Sequence, residues 1–129
     1  MRRVHPRVGV GILVRRRDEL LLMRRHGAHG TGTWSPPGGN LDWGEDPADA
    51  AARELLEETG IVGRPTFLTV TNDVFVEEER HYVTLWFQLE TESEGSLTAP
   101  HEAAELRWFS ETALPQPRFL PFENLLRAS

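Results

Sequence analysis

The amino-acid sequence predicts an α+β or α/β sandwich in a single domain, residues 1–129. Three observations carry this: apolar, β-compatible runs on both sides of one sharply capped helix, a second helical stretch late in the chain, and a length of 129 residues at 39% hydrophobic, enough for one core and too short for two.

Taken in order, Arg7 to Arg16 and Glu19 to Arg25 are two apolar runs separated only by Arg17-Asp18, which reads as a hairpin. His26 to Thr33 holds three glycines and reads as a loop, Trp34 to Pro36 as a short extended piece, and Pro37-Gly38-Gly39 as a turn. Asp46-Pro47 supplies an N-cap and a proline at the first helical position, so a helix runs from Ala48 to Thr59, ended by Gly60. Ala48, Ala51, Ala52 and Leu55 form the stripe of that helix fit for burial. Pro65 to Phe75 and His81 to Glu90, divided by Glu77-Glu78-Glu79-Arg80, read as a second antiparallel pair. Leu106 to Phe109 is the last short strand and Leu120 to Arg127 a closing helix. The apolar segment Val83 to Phe87 serves the core or a homodimer interface, the core being the simpler expectation.

Composition excludes several classes of chemistry. Without cysteine there are no disulfides and no thiolate-held zinc, so any metal is a hard cation on Asp, Glu, His or backbone oxygens. Residues 1 to 33 carry eight Arg against Asp18 and Glu19, net +6, whereas the remainder carries six Arg against eighteen acids, net −12. An acidic body of this kind makes a nucleic-acid polymer an unsuitable partner and a small anionic ligand, recruited through metal, a suitable one. No apolar run approaches the roughly 18 to 20 residues that span a bilayer, and no signal-peptide core follows Met1-Arg2-Arg3, so a cytoplasmic protein without membrane association is expected.

The chemistry concentrates on the capped helix. Glu54, Glu57 and Glu58 lie at i, i+3 and i+4, which puts three carboxylates on one face. Like charges at that spacing cost roughly 0.2 to 0.5 kcal/mol per pair in an isolated helix, so a cation among them improves matters. Arg53 pairing with Glu57 on a solvated acidic face is the simpler reading of such a helix taken alone. Its company changes that, because Gly38-Gly39 and Glu45 stand upstream and Gly60-Ile61 follow at once.

The stretch Gly39-x5-Glu45-x7-Arg53-Glu54-Leu55-x-Glu57-Glu58-x-Gly60-Ile61 resembles a complete Nudix box. At about 7% per residue type, its seven fixed positions coincide by accident with a probability on the order of 10⁻⁸ per starting point. The resemblance implies a Nudix-type α/β/α sandwich with a mixed central sheet, and a magnesium-dependent hydrolase, with manganese as a possible substitute, acting on phosphorus-containing acid anhydrides. It implies Glu57 and Glu58 as principal metal ligands, Glu54 as a further ligand or base, Glu45 and Arg53 as braces of loop and helix, and the Gly38 carbonyl as a contributor to the metal site. Clustered carboxylates suit that chemistry, because they hold a hard cation and one of them can take a proton from the attacking water.

Beyond the box the chain resembles MutT-like nucleoside triphosphate diphosphatases acting on ordinary or oxidised nucleotides. That likeness implies an arginine reaching phosphate from the end of the second strand; alternation sends Arg24 and Arg25 to opposite faces, and Arg25 is preferred. It further implies a metal-binding glutamate at Glu102, with Glu105 as the competing candidate. Trp34, Trp43, Phe119 and Phe122 are candidate walls for a base, Trp34 and Phe119 foremost. Asn40 and Pro36 depart from the residues many relatives carry, which leaves base preference open. His26, His29 and His81 read as incidental, while His101 beside Glu102 is placed to approach substrate. The expected reaction is NTP or dNTP to NMP and pyrophosphate. The alternatives are cleavage of ADP-ribose or another nucleoside-diphosphate-linked molecule, and a nucleotide-sensing Nudix domain without turnover.

Overall fold

In the computed structural model, residues 5–27, 29–98 and 103–128 are described. The elements in chain order are β1 (Arg7–Arg16), β2 (Glu19–Arg25), β3 (Trp34–Ser35), β4 (Gly38–Asn40), α1 (Pro47–Thr59), β5 (Thr66–Phe75), β6 (Arg80–Glu90), β7 (Ala103–Ser110) and α2 (Leu120–Ala128). The strands form one mixed sheet in the order β3-β2-β1-β6-β5, with β4 added on β1 and β7 on β2. Of the strand pairs among the described residues, only β1 with β6 runs parallel, from Arg7 opposite Tyr82 to Arg15 opposite Glu90. The α+β fold with a mixed central sheet is the one the sequence implied.

Strand alternation divides the interior into two layers. Val10, Ile12, Val14, Leu21 and Phe87 pack against Ala50, Ala51 and Leu55 of α1, while Leu20, Leu22, Trp34 and Trp86 pack with Phe122 and Leu125 of α2. Each Val, Leu, Ile or Phe side chain among these, taken wholly from water, contributes roughly 1.5–3 kcal/mol. Thr84, Trp86 and Phe87 are all buried, so the Val83 to Phe87 segment serves the core. No helix among the described residues is long and apolar enough to cross a membrane.

The β1–β2 hairpin holds together only at its tip, where Arg15 faces Leu20 and Arg16 faces Glu19. Beyond that the strands part: Gly9, Val10 and Gly11 of β1 pair with β4, whereas Met23 and Arg24 of β2 pair with β3. A cleft opens where they separate. Here the structure corrects the expected turn, because Gly38 and Gly39 are extended residues of β4, paired to β1, rather than the corner itself. A strand can accept two glycines at this point because both of its neighbours, a carboxylate on one side and the β1 backbone on the other, lie too close for a Cβ.

The helix α1 begins as its sequence requires. The Asp46 carboxylate accepts from the Ala48 amide at 3.0 Å, Pro47 stands at the first position, and Gly60 closes the helix with φ of 73°. A cap of this kind contributes about 1 kcal/mol. The buried stripe differs from the expected one: Ala50, Ala51 and Leu55 are fully buried, while Ala48 and Ala52 are half-buried. The rotation has a physical reason, since Ala50 shares its i, i+4, i+8 row with Glu54 and Glu58, and that whole row turns inward toward β4. Strand β7 also runs longer than Leu106 to Phe109, because it pairs along β2 from Glu19 opposite Ser110 to Arg25 opposite Ala103.

Candidate active site

The cleft has a volume of about 620 Å³. Its floor is β1 and β6, through Gly9, Gly11, Tyr82, Thr84 and Trp86; one side is β4 with Glu54 and Glu58 of α1, and the other is Arg25, His26, His29 and Phe119. Gly11 admits the Trp86 ring onto the floor, because a Cβ there would lie 2.4 Å from it.

Three glutamates of α1 sit in three different environments. Glu58 is 3% exposed and its Oε1 accepts from the Gly38 amide at 2.8 Å. Glu54 is 9% exposed and lies against Gly39, where a Cβ would stand 2.4 Å from its carboxyl carbon. Glu57 is exposed, one turn along the same edge. The single patch of acids expected from spacing is therefore two buried carboxylates flanked by one solvated one.

Arg53 ties this edge together. Its guanidinium grips Glu45 at 2.8 and 3.0 Å, reaches Glu54 at 2.9 Å and Glu57 at 3.3 Å, and donates to the Asn40 carbonyl at 3.2 Å. The hydrogen bond to Glu45 first, and that to Glu54 after it, push the Arg53 pKa up, which secures its charge. The same bond from Arg53 holds the Glu45 carboxyl below the ordinary carboxylate range. The bracing expected of Glu45 and Arg53 is thus geometrically present, a forked guanidinium joining the loop before α1 to its middle.

The other candidates separate by position. Arg25 lines the cleft, its Nε donating to the His29 carbonyl at 2.9 Å and its guanidinium 3.9 Å from the centre of the Phe119 ring. Arg24 faces away and meets Glu105 at 3.5 Å, so both Arg24 and the competing acid Glu105 are engaged outside the cleft. Phe119 lines the cleft; Trp34 corrects the expectation placed on it. It is 6% exposed and packs edge-on to Phe109 at 4.9 Å, because alternation along β3 gives the cleft Ser35 and turns Trp34 into the core. Phe122 is likewise core, and Trp43 is fully exposed. Glu102 and His101 lie outside the described residues.

Sequence reasoning passed over most of the cleft's floor. Tyr82, Thr84 and Trp86 alternate along β6, and that period of two was the available signal for a shared face. His29, read as incidental, lines the cleft with Phe75, Tyr82 and Phe119 around it. Burial first, then the charges of Arg80 and Arg25, lower its pKa and favour the neutral ring. Behind the floor, wholly buried Asp73 accepts from Thr84 at 2.6 Å, Thr71 at 3.2 Å and Asn124 at 2.9 Å, which ties β5, β6 and α2 together.

The donor set around Gly39 is oxygen alone, and the absence of a Cβ there leaves a cradle against Glu54, so the residues suit a hard divalent cation. Among the described residues no three acids or histidines already converge on one point; Glu54 and Glu58 are turned instead to Arg53 and the Gly38 amide.

An acid-bearing helix braced by an arginine, set beside a glycine-built strand at the mouth of a splayed sheet, defines a class of hydrolase. The chain belongs to the Nudix family: residues 5–126 match the NUDIX domain. It is 32% identical over 115 residues to an 8-oxo-dGTP diphosphatase of Escherichia coli K12, an alignment covering 88% of this chain and 87% of that one. It is 29% identical over 117 residues to an ADP-ribose pyrophosphatase of Methanocaldococcus jannaschii, covering 90% and 69% of the two chains. Among solved structures, a MutT Nudix hydrolase from Burkholderia pseudomallei superposes with a TM-score of 0.88 at 32% identity, covering 98% of this chain and all of that one. The chain is accordingly a Nudix hydrolase.

Proposed function

We propose that the chain is a nucleoside triphosphate pyrophosphohydrolase that converts an NTP or dNTP, oxidised forms included, to the monophosphate and pyrophosphate. The observation that carries this reading is a single cleft bounded by the Glu54 and Glu58 carboxylates at one side and by Arg25 and Phe119 at the other. A triphosphate nucleotide has that polarity, with a charged tail for the helix and a ring for the aromatic wall. The similarity to an 8-oxo-dGTP diphosphatase supports it.

Glu54, Glu57, Glu58 and the Gly38 carbonyl, with Glu102, would hold magnesium or its substitute manganese. Such a cation, when bound, neutralises charge on phosphate oxygens and acidifies water. The chain's own residues do the rest. Arg53 fixes Glu54 and holds the loop bearing Glu45 against α1. Arg25 presents a guanidinium to phosphate oxygens, a planar fork that matches them. A carboxylate of the α1 edge takes the proton as water attacks phosphorus and the P–O bond to the departing pyrophosphate breaks.

The likeness to an ADP-ribose pyrophosphatase supports a second reading, cleavage of a nucleoside-diphosphate-linked substrate. A turnover assay with dNTPs, 8-oxo-dGTP and ADP-ribose, in magnesium and in chelator, separates the two. The proposal expects metal-dependent hydrolysis of triphosphates at higher kcat/KM than of ADP-ribose. The reverse order would install the second reading, and nucleotide binding without any turnover would make the domain a sensor.

A further inference from the structure

Among the described residues, one buried side-chain nitrogen has no hydrogen-bond partner: Nε2 of His29. Buried polar atoms are nearly always paired, so an orphan on the wall of a ligand cleft calls for a physical account. Three aromatic rings surround the imidazole. Phe75 meets it edge-on at 4.2 Å, Phe119 edge-on at 5.5 Å, and Tyr82 lies nearly parallel at 6.3 Å with an interplanar angle of 14°. All four residues line the cleft.

From this we infer that His29, Phe75, Tyr82 and Phe119 form the subsite for the substrate's planar heterocycle, with His29 Nε2 as the hydrogen-bonding group that meets the ring's polar edge. The inference rests on the nucleotide reading and deepens it. Nucleobases are flat, have π-faces that pack on aromatic rings, and carry both donors and acceptors on their rims. A neutral imidazole can donate or accept at Nε2 according to its tautomer, and so matches either kind of edge atom. Binding then removes an unmet hydrogen bond already present in the free protein, which makes the contact selective for rings bearing a polar edge over greasy groups of equal size.

The backbone that carries the imidazole is fixed beside the subsite. Arg25 Nε holds the His29 carbonyl at 2.9 Å while its guanidinium covers Phe119. Gly30, with φ of 78°, lets the loop lie so close to the Phe119 ring that a Cβ would stand 2.7 Å from it. Because Nε2 is buried in the free protein, meeting a ligand requires the imidazole to turn about its Cβ–Cγ bond on this fixed backbone.

The test compares wild type with His29→Phe, which keeps a ring in the box without the nitrogen, and His29→Gln, which keeps a polar end without the ring. KM for dGTP, inhibition by dGMP, and inhibition by inorganic tripolyphosphate are measured for each. The inference expects His29→Phe to raise the dGTP KM and the dGMP inhibition constant about tenfold while the tripolyphosphate constant holds. It expects His29→Gln to recover part of that loss. Unchanged dGTP and dGMP constants in a folded His29→Phe variant, with wild type hydrolysing dGTP, would overturn the subsite and leave the proposed function standing. Wild type that neither hydrolyses nor binds nucleotides would overturn both.

Discussion

Gly39→Ala adds one methyl group 2.4 Å from the carboxyl carbon of Glu54 and the same distance from its Oε1. Ordinary contact begins near 3.4 Å, so the carboxylate must retreat by about 1 Å or β4 must lift from β1 by as much. The strand is held by its ladder to Gly9, Val10 and Gly11, and Glu54 is held by Arg53, so neither gives way without loss. Overpacking of this kind costs about 1–3 kcal/mol of stability. A misplacement of about 1 Å in a catalytic group costs on the order of 10²-fold in rate. The assay is kcat/KM for the best triphosphate substrate alongside a thermal unfolding curve. The expected result is a fall of about 10²-fold, mostly in kcat, in a protein that still unfolds cooperatively. A folded Gly39→Ala enzyme with wild-type kcat/KM would refute the idea that the glycine exists to seat Glu54.

Glu57→Gln removes a carboxylate from an exposed position, so stability measured by thermal unfolding should hold within about 0.5 kcal/mol while kcat falls by at least about 10²-fold. Arg53→Ala leaves the mostly buried Glu54 without its guanidinium and unlatches Glu45; with part of that charge cluster in water the cost is about 2 kcal/mol, read as a lower denaturation midpoint. Acid sensitivity follows from Glu45, whose pKa is depressed in the folded protein by Arg53. A depressed carboxylate contributes stability that is complete above its unfolded pKa and is lost as pH falls through the folded value, so Tm should decline below about pH 4.3, and Glu45→Gln should flatten that decline.

The parts of the fold legible in the sequence are those fixed by local chemistry. The Asp46-Pro47 start and Gly60 end of α1, and the bounds of β1 and β2, follow from capping and alternation within a few residues. Where a partner decides, the sequence is silent. Gly38-Gly39 reads as a turn until β1 and Glu54 are seen to occupy the space of both Cβ atoms. Trp34 reads as a stacking platform until its pairing beside β2 shows Ser35 taking the cleft side. The acid helix was legible as a pattern, but its division into two buried carboxylates and one exposed depends on how far α1 is rolled against β4. His29 had no neighbour in sequence to mark it, since Phe75, Tyr82 and Phe119 come from three distant segments.

The central claim is that the acid edge of α1 cleaves a nucleoside triphosphate so as to release pyrophosphate, and the most direct measurement is the product pair formed from dGTP in magnesium. The account predicts dGMP and pyrophosphate in equal amounts, with no orthophosphate formed initially, no products in chelator, and formation slowed at least about 10²-fold in the Glu57→Gln variant. Formation of dGDP and orthophosphate, or undiminished turnover by Glu57→Gln, would contradict it.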